Sequence, residues 1–346
     1  MPPERALAEG RWVKLICGAS NQDLPAIEDL CGIYSLVGVD CIDVAADPAV
    51  VSAARRGMDW AIQRGAAPPW LMVSLSDGAD PHFRKATFDP ALCPAECPRP
   101  CQRVCPALAI GPSGGVAEDR CYGCGRCLPL CPHGLIAERD HLLAAEAVAP
   151  LLARLRPDAV EIHTRMGREH AFAERLDQVS AAVVPLQRLA VSCGPDDCGL
   201  EGEGSEAAAA RLAEQLWQRF TALRARGFRP LWQLDGRPMS GDLGAGTAHA
   251  AVRLLRELRE LAPPGPLQLA GGTNESTLPR LRRLGVRRAA AGVAFGGIAR
   301  RLLQPLLARA AERGTGLLAD EALVAEAVAL AGSLVGPWRA QDGSEP

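Results

Sequence analysis

The sequence lacks a strong charge of one sign, long runs of like charge and long apolar segments. Its formal net charge is only −2 over 346 residues, so no basic surface is indicated and we expect no nucleic-acid partner. No segment reaches the roughly 18 consecutive apolar residues of a membrane span, and the first residues lack the apolar stretch of a signal peptide. We therefore expect a soluble, cytoplasmic protein without a membrane span.

Cysteine, by contrast, is abundant. The chain has 13 cysteines, an odd number without an export signal, whereas disulfide frameworks belong to small secreted domains. This usage favours metal binding or catalysis. Eight of the cysteines form two short runs, the first with Cys93, Cys97, Cys101 and Cys105, and the second with Cys121, Cys124, Cys127 and Cys131. The other five are Cys17, Cys31, Cys41, Cys193 and Cys198.

The second run, CYGCGRCLPLCP at 121–132, has the C-x2-C-x2-C-x3-C-P spacing of bacterial ferredoxins. Its two-residue steps wrap the backbone around one face of a cubane cluster, and Gly123 and Gly125 permit the left-handed backbone that such a wrap requires. Pro132 then fixes the direction of the chain after the last cysteine. Zinc is the alternative, but zinc sites typically use two separated pairs of ligands. The spacing therefore predicts an iron–sulfur cluster.

The first run, CPAECPRPCQRVCP at 93–106, has three-residue steps throughout, although it also closes with Cys-Pro. In two-cluster ferredoxins the fourth cysteine of each run ligates the other cluster, so we predict two [4Fe–4S] clusters. Cluster one is assigned to Cys93, Cys97, Cys101 and Cys131, and cluster two to Cys105, Cys121, Cys124 and Cys127. The alternatives are that cluster one is, or becomes, a [3Fe–4S] cluster, or that one cysteine of the first run is not a ligand.

Both runs lie in a compact segment, residues 84–140, which we interpret as a ferredoxin-like insert. Between the runs, ALAIGPSGGVAEDR at 107–120 predicts a short strand, a glycine-rich turn and a second short strand.

Outside the insert, a buried strand followed by a helix occurs eight times. This α/β pattern predicts a (β/α)8 TIM-like barrel formed by residues 12–83 and 141–335. An open doubly wound sheet is the alternative, because it alternates in the same way. The insert follows the third strand, on the face where barrel active sites occur. We expect residues 1–11 and 336–346 to be disordered tails.

Polar residues and glycines follow several barrel strands. Five residues after strands seven and eight are candidates for a phosphate-binding loop, because barrels often hold phosphate there: Gly271, Gly272, Thr273, Gly296 and Gly297. They serve equally well as turn and capping residues. A flavin is a weaker alternative ligand. His163 also ends a strand, where a histidine satisfied by hydrogen bonds is the simpler interpretation.

The remaining cysteines carry weaker signals. Cys17, Cys31 and Cys41 lie in apolar strands or a helix and are expected to be small buried hydrophobic residues. Cys193 and Cys198 are a candidate redox pair, although their C-x4-C spacing is not an established redox motif.

Several segments resemble the LdpA family, the light-dependent period proteins of cyanobacteria. They are KLICGASNQDLPAIEDLCGIYSLVGVDCIDVAADPAVVSAARRG at 14–57, CPRPCQRVCP at 97–106 and CYGCGRCLPLCPHGLI at 121–136. The resemblance extends over nearly the whole chain. It implies an iron–sulfur protein that reports cellular redox state to the circadian clock, with clock input and oscillator proteins as partners. The eight cysteines of the two runs are carried over as ligands, whereas the barrel is not implied by the resemblance.

Two classes of function remain open. The first, which we favour, is a redox sensor and signalling protein that is not an enzyme. The second is an oxidoreductase in which the clusters exchange electrons with a substrate or flavin at the barrel mouth, since barrels host many chemistries. A plain electron carrier is a third possibility.

Overall fold

The computed structural model describes residues 1–105, 107–140, 142–194, 205–237 and 244–340. Within these ranges, eight parallel strands close into a barrel and two antiparallel strands form a separate small sheet. The barrel strands are β1 (Trp12–Ile16), β2 (Cys41–Ala45), β3 (Trp70–Ser76), β6 (Ala159–His163), β7 (Arg188–Cys193), β8 (Pro230–Asp235), β9 (Leu267–Ala270) and β10 (Gly292–Phe295). The small sheet consists of β4 (Arg84–Thr87) and β5 (Ala137–Asp140).

Most helices follow a barrel strand and surround the barrel, whereas α1 precedes β1 and α4 lies in the insert. They are α1 (Pro3–Ala8), α2 (Leu24–Leu36), α3 (Pro48–Ile62), α4 (Pro100–Arg103), α5 (Ala145–Leu155), α6 (Glu169–Ser180), α7 (Ser205–Ala225), α8 (Ala248–Leu258), α9 (Thr277–Arg283), α10 (Gly297–Glu312) and α11 (Glu321–Arg339). Side-chain caps fix the start of α2, α3 and α11, and in α11 the cap is Asp320, which accepts from two N–H groups. Asp23 accepts a hydrogen bond from the N–H of Ala26 in α2, and Asp47 accepts from two N–H groups of α3.

The barrel closes because β1 pairs with the last strand as well as with β2. Trp12 lies opposite Gly292 in β10, and Lys14 lies opposite Cys41 in β2. The first contact requires glycine, since a Cβ atom on residue 292 would lie 2.3 Å from the carbonyl oxygen of Trp12. The two strands that flank the insert, β3 and β6, also pair in parallel. The predicted barrel with its insert after the third strand is confirmed, and the open-sheet alternative is wrong.

Side chains of the barrel strands alternate between two environments. Val13 and Leu15 belong to the large apolar core between strands and helices. Lys14, between them, is completely buried and contacts Glu161 of β6. The interior of the barrel is therefore polar along part of its length, whereas the layer outside it supplies the apolar core.

The N-terminal segment covers the bottom of the barrel. Helix α1 buries Ala6 and Leu7 in an apolar cluster with Trp12, Met72 and Leu231. Those strand residues would be open to water without this cover. The expectation that residues 1–11 are a disordered tail was therefore wrong.

The C-terminal helix α11 packs one face on α2, α10 and β1. Its length and composition are those of a helix able to cross a membrane, and 33% of an apolar 18-residue stretch within it is buried. Trp338 is 2% exposed, and Arg339 donates to Asp40 Oδ1 at 2.5 Å. The expectation of a disordered tail was wrong for residues 336–340, and residues 341–346 lie outside the described ranges.

The small sheet joins the two ends of the insert, because Arg84 pairs with Asp140 and Thr87 with Ala137. The two short strands predicted within 107–120 were wrong. That segment contains a single bridge between Gly111 and Gly114, and beyond it the N–H of Ala117 donates to the carbonyl oxygen of Ala109 at 2.7 Å without a regular ladder.

Candidate iron–sulfur centre and barrel mouth

Four cysteines from both runs converge on one cavity in the insert. Cys121, Cys124 and Cys127 from the second run and Cys105 from the end of the first run line a cavity of about 350 Å³, counting the part open to solvent. Its other walls are largely apolar, with Ala86, Ile110 and Val116 among them. These four cysteines are the set predicted for cluster two, and sulfur ligands in an apolar surround are what an iron–sulfur cluster requires.

The cavity concentrates negative charge whenever its thiols ionise. Burial, together with the charges of the neighbouring Cys124, Cys121 and Cys105, raises the pKa of Cys127 to about 12. Four thiolates that line one cavity repel one another, so they are stable only with a cation between them. Metal ligation in turn requires the deprotonated form of each thiol. The donor set therefore fits iron that is bound by all four sulfurs.

Of the cysteines predicted for cluster one, Cys101 and Cys131 lie in the same apolar cluster of the insert. Burial raises the pKa of Cys101, and the charges of Cys131 and Cys97 act in the same direction. Cys101 is buried, whereas Cys93, Cys97 and Cys131 are partly exposed. Cluster one is thus assigned to a more open part of the insert than cluster two.

Backbone N–H groups point at the sulfurs of both Cys-Pro closures. Ala109 donates to Cys105 Sγ at 3.2 Å, and Leu135 donates to Cys131 Sγ at 3.4 Å. Each donor is four residues beyond its cysteine, so the two runs close in the same local conformation. Although burial raises the pKa of Cys131, the N–H of Leu135 and its neighbours hold that pKa below the ordinary value. Such donors set the reduction potential of a bound cluster.

Glycine is obligatory inside the second run. Gly123 has φ +74°, and a Cβ atom there would lie 2.1 Å from the carbonyl oxygen of Arg84. Gly125 also has a positive φ, +75°. The left-handed backbone predicted for these two residues is present, and it lets the cysteine loop lie against the first strand of the small sheet.

The insert docks on the loop that follows β1. Lys85 Nζ donates to Gln22 Oε1 at 2.6 Å and to the carbonyl oxygen of Glu118 at 2.7 Å. The N–H of Gln22 in turn donates to the carbonyl oxygen of Asp119 at 2.9 Å. Because Lys85 is 1% exposed, this junction is a buried polar contact with defined geometry.

Docking places a cluster-two cysteine in the wall of the barrel mouth. A cavity of about 1070 Å³, counting the part open to solvent, is lined by Tyr122, Cys124 and Arg126 from the insert and by residues of the barrel strands. His163 and Asp235 form part of the barrel wall. A small molecule in this cavity would contact both the insert and the barrel.

A buried ionic network forms the floor of this cavity. Lys14 Nζ contacts Glu161 Oε2 and lies 3.2 Å from Asp43 Oδ2, and Glu161 Oε1 lies 2.9 Å from His163 Nε2. Burial lowers the pKa of Lys14, but the two carboxylates raise it above its ordinary value overall. Lys14 is therefore a fixed positive charge and a poor nucleophile.

The network continues across the barrel through amides. Gln233 Nε2 donates to Glu161 Oε1 at 2.8 Å, Gln268 Nε2 donates to Gln233 Oε1 at 2.7 Å, and Trp12 Nε1 donates to Gln268 Oε1 at 2.6 Å. Sequence reasoning missed these residues. The available signal was a charged side chain inside an otherwise apolar strand, such as Lys14 in VKLIC and Glu161 in AVEIH.

All five residues predicted as a phosphate loop line the barrel-mouth cavity, namely Gly271, Gly272, Thr273, Gly296 and Gly297. Gly271 and Gly272 have positive φ, and Thr273 Oγ1 donates to the carbonyl oxygen of Ala294 at 2.5 Å. Gly296 caps α10 without a side-chain hydrogen bond. The structure brings the five together, and the turn role of the glycines is evident; phosphate binding stays a prediction.

The other cysteines are mostly buried in the barrel. Cys17 and Cys31 are buried with their Sγ atoms 3.9 Å apart, and Cys41 lies in the apolar cluster at the bottom of the barrel. Cys193 is buried at the end of β7. Cys198, the other member of the candidate redox pair, lies outside the described residues.

Comparison with known proteins gives one consistent relationship. Residues 151–337 match the family model of the light dependent period A C-terminal domain, and residues 93–142 match that of the LdpA Fe-S cluster-binding domain. The chain is 46% identical to Light dependent period A of Synechococcus elongatus over 344 residues, which cover 97% of this chain and 94% of that relative.

Solved structures resemble the chain more remotely. A fructose-bisphosphate aldolase from Plasmodium falciparum aligns with a TM-score of 0.47 and 13% identity, over 99% of this chain and 96% of that one. A putative fructose-1,6-biphosphate aldolase from Coccidioides immitis gives a TM-score of 0.42 and 13% identity, over 96% and 93%. Similarities this low say nothing about activity.

Proposed function

The chain belongs to the light dependent period A family, and on that premise we propose that it is an iron–sulfur redox sensor in light-dependent control of the circadian period. It would relay cellular redox state to clock input and oscillator proteins. The observation that carries the proposal is the convergence of Cys105, Cys121, Cys124 and Cys127 on one cavity.

Hydrogen bonds to the cysteine sulfurs would make the backbone of the insert respond when a bound cluster gains or loses one electron. Bound by the two cysteine sets, [4Fe–4S] clusters supply one-electron redox centres. The N–H groups of Ala86 and Ala109 donate to Cys121 Sγ and Cys105 Sγ. More negative charge on these sulfurs strengthens both hydrogen bonds, and less charge weakens them. The backbone of the insert is therefore coupled to the charge that its cysteines carry.

Exposed apolar side chains lie next to the cluster cysteines. Leu92, Leu108 and Leu130 are 64%, 53% and 43% exposed, and two of them directly precede Cys93 and Cys131. A change in the order of these segments would alter the apolar surface that a partner meets. A switch of this kind is a local change of charge and packing that is read elsewhere.

The test is a redox titration of anaerobically reconstituted protein, followed by EPR and by iron and sulfide analysis. We expect about eight irons per chain for two four-iron clusters and reversible one-electron signals. Cys127→Ser should remove one set of signals. The matched control Cys41→Ala, in the bottom of the barrel, should keep both. Stoichiometric zinc without visible absorption, or iron that cannot be reduced reversibly, would refute the proposal.

One observation favours a second candidate, an oxidoreductase. Cys124 shares the barrel-mouth cavity with His163 and Asp235, so a bound molecule would lie between an electron source and groups that exchange protons. Mass spectrometry of the small molecules released from purified holoprotein separates the candidates. A flavin or organic substrate at one per chain supports the oxidoreductase, whereas iron and sulfide alone support the sensor.

A further inference from the structure

Two histidines and an aspartate meet where the chain leaves the barrel for the insert. Asp80 and His82 lie in the turn after β3, and His163 ends β6. One ring nitrogen of each histidine and one carboxylate oxygen of Asp80 lie within 4.8 Å of one another. Donor atoms about 2.1 Å from one transition-metal ion are at most about 4.2 Å apart. Side-chain shifts of less than about 1 Å would therefore bring all three to bonding distance.

Carboxylates already orient both rings. His163 Nε2 lies 2.9 Å from Glu161 Oε1, and His82 Nδ1 lies 2.8 Å from Asp80 Oδ1. Each of these contacts holds its ring through one nitrogen. Metal-binding histidines characteristically donate their second N–H to a carboxylate, which fixes the ring and its tautomer. Glu161 occupies that supporting position for His163.

The local charge also favours a cation. Glu161 and Asp80 contact the rings, and Asp235 lines the same small cavity as His82 and His163. Lys14 compensates Glu161 and Asp43 from below, and Arg165 lies on the cavity wall. Of these side chains four are carboxylates and two are cations, so the corner favours a bound cation.

We propose that Asp80, His82 and His163 bind one divalent transition-metal ion, separately from the cysteine sets. Two imidazoles and one carboxylate are the donors that Fe²⁺ and its neighbours in the first transition row accept, and three protein ligands leave further positions open. Those positions face the barrel mouth, because His82 and His163 both line its cavity. This inference does not rest on the proposed function.

Cobalt is the probe, because it is distinguishable from cluster iron. Anaerobic holoprotein with oxidised clusters is incubated with Co²⁺, desalted, and analysed for cobalt, iron and sulfide, and by EPR for high-spin Co²⁺. We expect one cobalt per chain. His82→Gln and Asp80→Asn should each weaken cobalt binding at least tenfold without changing iron, sulfide or the circular dichroism spectrum. His82 is partly exposed, so its replacement tests the site even if His163→Gln fails to fold.

The matched control is His170→Gln on α6, where the histidine is exposed and paired with Glu174. This variant should bind cobalt as the wild type does. Absence of bound cobalt in the wild type would overturn the proposal. So would cobalt retained equally by His82→Gln and Asp80→Asn, since the ion would then be held elsewhere. Neither result affects the assignment of the clusters.

Discussion

The guanidinium of Arg300 lies 4.9 Å from the centre of the Tyr122 ring. Arg300 is in the first turn of α10, and Tyr122 lies between two cysteines of cluster two. The same guanidinium donates to the carbonyl oxygen of Cys17 at the end of β1. One largely buried cation thus joins the barrel to the cysteine loop of the insert.

Replacement of Arg300 by methionine should loosen the insert while the barrel stays folded. A desolvated cation–π contact contributes on the order of 1–2 kcal/mol, so we expect cleavage within residues 84–140 to accelerate about tenfold in limited proteolysis. Arg301→Met is the control, because that residue is adjacent and exposed. Equal cleavage rates in the two variants would mean that Arg300 does not hold the insert.

Loss of Lys14 should destabilise the barrel strongly. Lys14→Met leaves Glu161 and Asp43 buried without their cation, and removal of one partner from a buried ion pair costs roughly 3–5 kcal/mol. The measurement is urea unfolding of anaerobic holoprotein. The double variant Lys14→Met, Glu161→Gln should recover part of this loss, since one unpaired charge is removed. A change below about 1 kcal/mol in the single variant would contradict the network described above.

Asp235 should make stability fall as pH rises. Burial raises the pKa of Asp235 to about 6, although His163, His82 and the hydroxyl of Ser192 act in the opposite direction. The folded protein therefore holds this proton more tightly than the unfolded chain, whose aspartates titrate near about 3.9. The associated stability is complete below that value and is lost as pH rises through about 6.

Asp235→Asn removes this dependence. Relative to the variant, the wild type should lose on the order of 1 kcal/mol of unfolding free energy between pH 5 and pH 7. Urea unfolding at several pH values measures the difference, and Asp59→Asn, at an exposed position of α3, is the control. A constant difference between wild type and Asp235→Asn would show that Asp235 titrates normally.

Cluster one should be the first to lose iron in air. Cys93, Cys97 and Cys131 are partly exposed, and the three-residue steps of the first run hold its sulfurs less rigidly. Brief oxidation should therefore give a [3Fe–4S] EPR signal from this cluster. Cys97→Ser should abolish that signal and leave the signals of cluster two. Loss of both clusters together in Cys97→Ser would contradict the separate ligand sets.

The sequence was informative where local patterns decide the structure. Alternation of strand and helix predicted the barrel, and the spacing from Cys121 to Cys131 predicted the cysteine loop. Helix α1 was missed because its few residues show no apolar period of their own and gain stability only by covering Met72 and Leu231. Tertiary packing, not propensity, makes such a helix.

The barrel mouth was harder to predict because it depends on contacts distant in sequence. Lys14 and Glu161 are 147 residues apart, and each looks like an isolated charge in an apolar strand. The approach of Cys124 to this cavity depends on how the insert docks through Lys85 and Gln22. No local pattern encodes that docking.

Hydrogen exchange of anaerobic holoprotein, compared between the oxidised and the dithionite-reduced state, tests the redox-sensor account most directly. We predict a reversible difference in exchange that is concentrated in residues 84–140 and in the loop after β1, with the barrel strands unchanged. Chelation of iron should enlarge the difference in the same segments. Identical exchange in the two redox states would contradict the account, because the clusters would then act only as structural supports.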